Sequence, residues 1–399
     1  MTVKLQARNA DLGDIAQLLQ QQHDAKVDLV TPLANVTSEG GVITVAGTSL
    51  FGDGSKLVPT EIADGHIAGK LNIPPSYLKT LRAERTDIYD ANINGWTQGN
   101  EELEVPKDKR TVLLRTFVSE DLEETGVLRA VLSDRYARID NLDVLTAALS
   151  GVRDTGANVE VVGCDLTETR MTIRVAAPDI LVHAPKLLAG YRSPFNDGDN
   201  GVYDHRAGKL LQVPQWAQDK FGVNADGVFA GFVITNSETG GGAFTITPRF
   251  MVLRCTNGLM ITKDVLRQVH LGSKLDHGQI KWSDDTQQKT LALVTAQTRD
   301  AVATFLDEEY VAGVIEGLSE IAETEVTDPQ KTIEFIGKKL LFSEEATAGI
   351  LTHFIKGGQV TAGGVMQAVT SFAQTVENPD QAFHFESKAL EALELAAAI

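Results

Sequence analysis

Residues 228–261, VFAGFVITNSETGGGAFTITPRFMVLRCTNGLMI, limit the fold more than any other stretch. Residues 228–235 are apolar and β-branched, and after the loop 236–242 the alternation resumes through Phe244, Ile246, Phe250 and Val252. Two strands and a tight loop satisfy that pattern, whereas a helix would need apolar residues every three or four positions. Gly240, Gly241 and Gly242 permit positive φ and close backbone approach, so the loop either turns tightly or cradles an anion. The pair Asn257-Gly258 favours left-handed φ and marks a further turn.

The stretch before it has the same texture. Residues 111–117 and 126–132 read as strands around an acidic turn, 142–149 as a helix, and 159–166 with 170–176 as a hairpin. Asp140 or Asn141 is the natural cap of that helix. Residues 110–177 therefore run β-β-α-β-β, a pattern of α+β sheet layers rather than parallel βαβ units.

On the N-terminal side, Leu12, Ile15, Leu18 and Leu19 mark an amphipathic helix, with Gln20, Gln21 and Gln22 as its solvated face. A short strand pair is expected over 37–51, and helices over 63–71 and from Tyr77, broken by Pro74-Pro75. Two helices at a proline turn suit a helix-turn-helix or a packed corner; the absence of a following basic face favours the corner. Asn92 and Asn94 are expected to cap and turn, beside a Trp96 able to stack on a base or sugar. Residues 178–227 are loop-rich. Asp197, Asp199 and Asp204 lack the full calcium-loop spacing and read as a surface loop.

Helices are expected over 263–270 and then to the end of the chain, the last bearing Leu390, Leu393 and Leu395 for packing on its own bundle or on a neighbour. The expected fold is α+β: central antiparallel β-hairpin sheets, flanking helices and a mostly helical C-terminal region. The expected divisions are 1–104, 105–262 and 263–399.

Acidic residues number 54 against 36 basic, a formal charge of −18. That balance disfavours a surface wrapped around phosphate but leaves room for a local basic groove. No signal-peptide pattern and no run of about 18 apolar residues is present, so a cytoplasmic protein without a membrane partner is expected. Cys164 and Cys255 lie in apolar strand-like segments and read as buried thiols rather than a disulfide. The eight histidines show no metal-ligand spacing, and no phosphate-loop, dinucleotide or nucleophile-elbow motif occurs, so no metal, cofactor or catalytic residue is assigned. Cys255 as a nucleophile lacks any base at a telling spacing.

Basic residues next to the hairpins, namely Arg135, Arg138, Arg249, Arg254, His270 and Lys274, suit a groove that contacts phosphates, with Tyr136 or Phe250 stacking. The competing reading is that each pairs with Asp134, Asp140 or Glu238. The nucleic-acid candidates are Arg135, Tyr136, Arg138, Arg249 and Arg254, with Asn236, Ser237, Glu238 and Gly240 as the companion loop. Both groups end strands, so the Arg135-Tyr136 motif and the loop are expected together on one sheet edge.

Several stretches resemble the phage/plasmid-like protein family catalogued as domain of unknown function 932. They are GHIAGKLNIPPSYLKTL with NINGW, RAVLSDRYARIDNLDVL, ITNSETGGGAFTITPRFMVLRCTNGLMI, and Ala368-Val369-Thr370. The similarity covers residues 60–376, and residues 1–60 match less clearly. Arg135-Tyr136 with Asp140-Asn141, Asn236-Ser237-Glu238 with Gly240, and Cys255-Thr256-Asn257-Gly258 carry it. The resemblance implies a mobile-element origin. By analogy with phage annealing proteins, it suggests a homo-oligomer that binds or anneals single-stranded nucleic acid in DNA recombination. The alternative is a non-catalytic oligomeric interaction or structural protein of a phage.

Overall fold

The computed structural model describes residues 4–46, 55–102, 104–118, 125–136, 138–195, 202–204, 209–211, 226–252, 258–268 and 284–399. Arg254, Cys255, Asn257, Asp197, Asp199, His270, Lys274 and the acidic turn 119–124 lie outside them.

In chain order the first elements are β1 (Ala7–Ala10), α1 (Leu12–Asp24), β2 (Lys26–Pro32), β3 (Val36–Glu39), β4 (Val42–Val45) and β5 (Ser55–Pro59). The helices α2 (Glu61–Leu71), α3 (Pro75–Glu84) and α4 (Thr86–Gln98) follow, then β6 (Thr111–Phe117), β7 (Gly126–Ser133), α5 (Asn141–Thr155), β8 (Glu160–Leu166) and β9 (Met171–His183). A small hairpin, β10 (Val202–Asp204) with β11 (Lys209–Leu211), precedes β12 (Gly227–Asn236), β13 (Phe244–Val252), β14 (Gly258–Met260) and β15 (Leu266–Gln268). The chain then runs through α6 (Asp284–Phe305), α7 (Glu308–Ala322), α8 (Pro329–Lys339), α9 (Glu344–Gly357), α10 (Ala362–Thr375) and α11 (Pro379–Ala397).

Two sheets organise these elements. One has six strands in the order β2-β6-β7-β5-β4-β3, antiparallel except for the parallel pair β5–β7. Its apolar face carries α2, α3 and α4 over a core that includes Ile43, Leu57, Leu78, Leu114 and Leu128. The other has seven antiparallel strands, β1-β8-β9-β12-β13-β14 with β15 also on β13. A larger core joins it to α1, α5 and the C-terminal helices. With both helix and strand abundant among the described residues, the antiparallel pairing and segregated C-terminal helices make the chain α+β, as expected. The six-stranded sheet draws strands from both sides of residue 104, since β2 lies beside β6.

The hairpin 227–252 forms with Thr235 opposite Thr245 and Val228 opposite Val252. Every residue of β12 is buried, which explains its unbroken apolar run: a strand covered on both faces has no polar side to alternate. At Gly231 the backbone passes β9 so closely that a Cβ would sit 2.2 Å from the Val175 carbonyl oxygen.

Three local expectations are corrected. Asn92 and Asn94 lie within helix α4 rather than at a turn; Asn94 Nδ2 donates to the Ser38 carbonyl at 2.8 Å and so ties that helix to β3. Among the described residues, 263–268 form no helix, because residues 266–268 complete the edge of β13 as a short strand. Gln22 is buried rather than solvated, its Nε2 donating to the Lys4 carbonyl at 2.7 Å. Of the two placements expected for the last helix, packing on its own bundle is seen, with Phe385, Ala389, Leu390 and Leu393 in the larger core.

Among the described residues, no helix is long and apolar enough to cross a membrane.

Candidate nucleic-acid interface

The Arg135-Tyr136 motif and the loop after β12 do meet, but not on one sheet edge. The motif follows β7 of the six-stranded sheet, while the loop joins β12 and β13 of the seven-stranded sheet. Tyr136 Oη donates to the Ser237 carbonyl at 2.9 Å and bridges the two. Two strand ends come together because the two sheets are fastened here through a buried ionic network.

Arg115, fully buried on β6, is the centre of that network. Its Nε bonds Asp28 on β2 at 3.1 Å, one Nη donates to the Glu238 carbonyl at 3.0 Å, and the other meets Asp140. Lys26 takes the second Asp140 oxygen. Arg129 reaches Glu238 Oε2 at 2.7 Å and lies over the Phe117 ring at 4.0 Å. A regular β7 would put Arg129 on the face of Val131, inside the apolar core. The register shift opposite Arg115 and Thr116 makes Arg129 the extra residue of a bulge, which re-aims its side chain toward the loop.

Asp140 occupies the N-cap position of α5, yet its carboxylate makes no capping bond, because Arg115 and Lys26 hold both oxygens. Glu238 supplies the acceptor instead: its Oε1 receives the Asn141 N–H at 2.6 Å, placing negative charge at the helix N-terminus. Asn236 Nδ2 donates to the Ile139 carbonyl at 3.1 Å and to Asn141 Oδ1 at 2.9 Å. Ser237 Oγ accepts the Gly241 N–H at 2.8 Å, and Gly240 has φ +80°. A Cβ at Gly240 would stand 2.9 Å from Leu132. Glycine is therefore required at 240, where the turn takes a positive φ and presses against β7.

Burial alone would push the Asp140 and Glu238 carboxyls up. Arg115 and Lys26 at Asp140, and Arg129 and Arg115 at Glu238, more than offset it and hold both below the usual carboxylate range. Burial pushes Tyr136 up to about 12, so its hydroxyl stays protonated and donating.

The candidate residues thus fall into three groups. Asn236, Ser237, Glu238 and Gly240 belong to the fastening, as does Tyr136, which is half-buried and fixed through its hydroxyl. Arg135 and Arg138 stand on the exposed turn above it, Arg138 46% exposed with one Nη 3.5 Å from Asp28. Arg249 is elsewhere: it is buried on β13, 4.0 Å from Glu386 of α11, in a second network where Arg174 meets Asp165 at 2.6 Å and Glu386 at 3.7 Å. Arg249 does not share a groove with Arg135. Lys26, Asp28, Arg115 and Arg129 escaped the sequence reading, although charges inside apolar runs such as TVLLRTF and GVLRAVL are the signal that finds them.

Beside the turn is an open cleft of about 300 Å³, at the end of the β6–β7 pair, lined by Lys70, Arg110, Thr111, Ser133, Asp134 and Arg135. Lys70 comes from the last turn of α2. Cys164 is buried on β8, with its thiol pushed up to about 12 by burial, the environment of an inert thiol. Among the described residues, no cluster of histidine, cysteine or carboxylate side chains could hold a metal ion.

No family model matches the chain, and no curated protein or solved structure matches it either.

Proposed function

We propose that the chain is a mobile-element protein that binds or anneals single-stranded nucleic acid as a homo-oligomer, using the exposed turn after β7. The observation that carries this reading is the pair Arg135 and Arg138, held out to solvent on a turn anchored to a rigid network by Tyr136. Phosphate binding needs cations that are exposed and positioned rather than neutralised by neighbours. Arg135 meets both conditions: among the described residues its guanidinium has no carboxylate within ion-pair distance. The charge of −18 confines such binding to a local surface. Fluorescence anisotropy with a labelled oligothymidylate tests it. Binding is expected at about 50 mM salt and to weaken steeply toward about 200 mM. Absence of a complex at the lower salt rejects it.

A second reading, a non-catalytic interaction protein, is favoured by apolar side chains on the C-terminal helical region. Leu341 is 89% and Ile355 68% exposed. Sedimentation of the parent beside Leu341→Asp and Ile355→Asp tests it; unchanged profiles for both substitutions remove the support.

A further inference from the structure

We infer that the cleft between α2 and the end of the β6–β7 pair is a site for a single phosphate group, contributed under the reading above by a nucleic-acid strand. The inference rests on that reading for the source of the phosphate, not for the site itself.

The charge arrangement within the cleft carries the argument. Three cations, Lys70, Arg110 and Arg135, line it with one acid, Asp134. Arg110 is held rigidly: Nε and Nη2 fork onto Asp108 at 2.9 and 2.5 Å, and Nη1 donates to the Lys70 carbonyl at 2.8 Å. Asp108 holds it in place and offsets most of its charge, so its part is to fix the wall of the cleft beside Lys70. Lys70 and Arg135 differ. Among the described residues neither side chain has a carboxylate within ion-pair distance, and neither donates a hydrogen bond.

Lys70 is partly buried beside a fixed arginine, and both burial and Arg110 hold its ammonium below the ordinary value, with Asp134 pulling the other way. His66, one helical turn earlier, is also lowered, first by burial and then by Lys70, so it adds no charge at neutral pH. Positive charges gathered with too few acids repel one another, and a bound anion relieves that repulsion. The hydroxyl of Thr111 adds a donor at the same rim, while that of Ser133 donates to Asp134 at 3.3 Å and accepts the Arg135 N–H at 3.2 Å. The volume, about 300 Å³, accommodates a phosphate with part of an attached nucleoside. A protein of charge −18 that leaves two cations unneutralised in one cleft departs there from its own average. Ser133 is paired opposite Val112, so the strand ends that shape the rim are fixed by the ladder.

The test compares the parent with Lys70→Ala, Lys70→Arg, Arg135→Ala and the control Lys79→Ala. The control residue is exposed and paired with Glu61 at 2.7 Å. Oligothymidylate binding is followed by anisotropy over a salt series, and binding of inorganic phosphate and of thymidine monophosphate by NMR. Lys70→Ala and Arg135→Ala are each expected to weaken oligonucleotide binding about tenfold and to lower the log–log salt slope by about 0.7, the value for one phosphate contact on a single strand. Lys70→Arg should retain most of the affinity and Lys79→Ala all of it. If the parent binds the oligonucleotide and both alanine variants match it at every salt concentration, the cleft assignment is overturned and Arg135 loses its part in binding, while nucleic-acid binding itself stands. If the oligonucleotide does not bind but the monophosphate does, in a Lys70-dependent way, the site stands and the nucleic-acid reading falls. Binding of neither overturns both. Melting temperatures identify any variant that fails to fold, and Lys70→Gln then replaces Lys70→Ala.

Discussion

Glu238→Gln is the substitution that most directly tests how the two sheets are joined. The Glu238 carboxylate neutralises Arg129 at 2.7 Å and caps α5 through the Asn141 N–H at 2.6 Å. Glutamine keeps an acceptor for Asn141 but leaves the Arg129 guanidinium buried without its counter-charge. Breaking one side of a buried pair costs about 3–5 kcal/mol, and the retained cap places this substitution at about 3 kcal/mol. Glu238→Ala also strands the Asn141 N–H, adding about 1–3 kcal/mol.

With an unfolding entropy of about 2.1 cal/mol/K per residue, the glutamine variant lowers Tm by about 4 °C if the chain melts in one transition. Urea unfolding gives the free energy directly. The double variant Glu238→Gln with Arg129→Met is expected to recover most of the loss, since it removes the stranded charge. The pH dependence follows from the lowered Glu238 pKa. The carboxylate stabilises the fold above its unfolded value, about 4.3, and that contribution is lost as pH falls through the lower folded value. The gap between parent and Glu238→Gln should therefore narrow below about pH 4. A glutamine variant within about 0.5 kcal/mol of the parent at pH 7, the range of an ordinary surface change, would refute the view that this loop fastens the sheets.

Gly231→Ala must displace β9 from β12, because its Cβ would lie 2.2 Å from the Val175 carbonyl oxygen, and a loss of about 1–3 kcal/mol by urea unfolding is expected. His353, bonded to Ser371 Oγ at 2.9 Å, is lowered to about 4 by burial and then by Lys356, so the fold loses stability as pH falls from about 6.5 toward 4. Melting curves of His353→Gln should be flatter than the parent's across that window, and equal slopes would contradict the assignment. Glu386→Ala uncovers Arg174 and Arg249 beneath α11, and a loss of about 3–5 kcal/mol is expected; a fall below 1 kcal/mol would show the helix held by its apolar contacts alone. Cys164 should react with a thiol reagent in the native protein only at the rate of unfolding, and rapid labelling would place its sulfur at the surface.

Periodicity alone determined the hairpin 227–252, the β-β-α-β-β run before it and the C-terminal helices after 284, because burial on one face, or on both, writes itself into local order. The same local rules misjudged Asn92, Asn94 and the segment after Lys263, where polar residues and short runs take their conformation from distant partners: β3 for Asn94, β13 for residues 266–268. The Arg135-Tyr136 motif and the loop 236–242 were recognisable as strand ends, and they do meet, though through the network that joins two sheets rather than along one edge. Their membership of separate sheets did not show in the sequence, because strand order is set by pairings between residues as far apart as Asp28 and Arg115. Nor did any spacing mark Arg129 as the partner of Glu238, or Glu238 as the cap of α5. Those roles arise from a bulge one residue long and from a carboxylate brought in from the other sheet. A buried charge must find its counter-charge wherever the fold places one, and that choice is made in three dimensions.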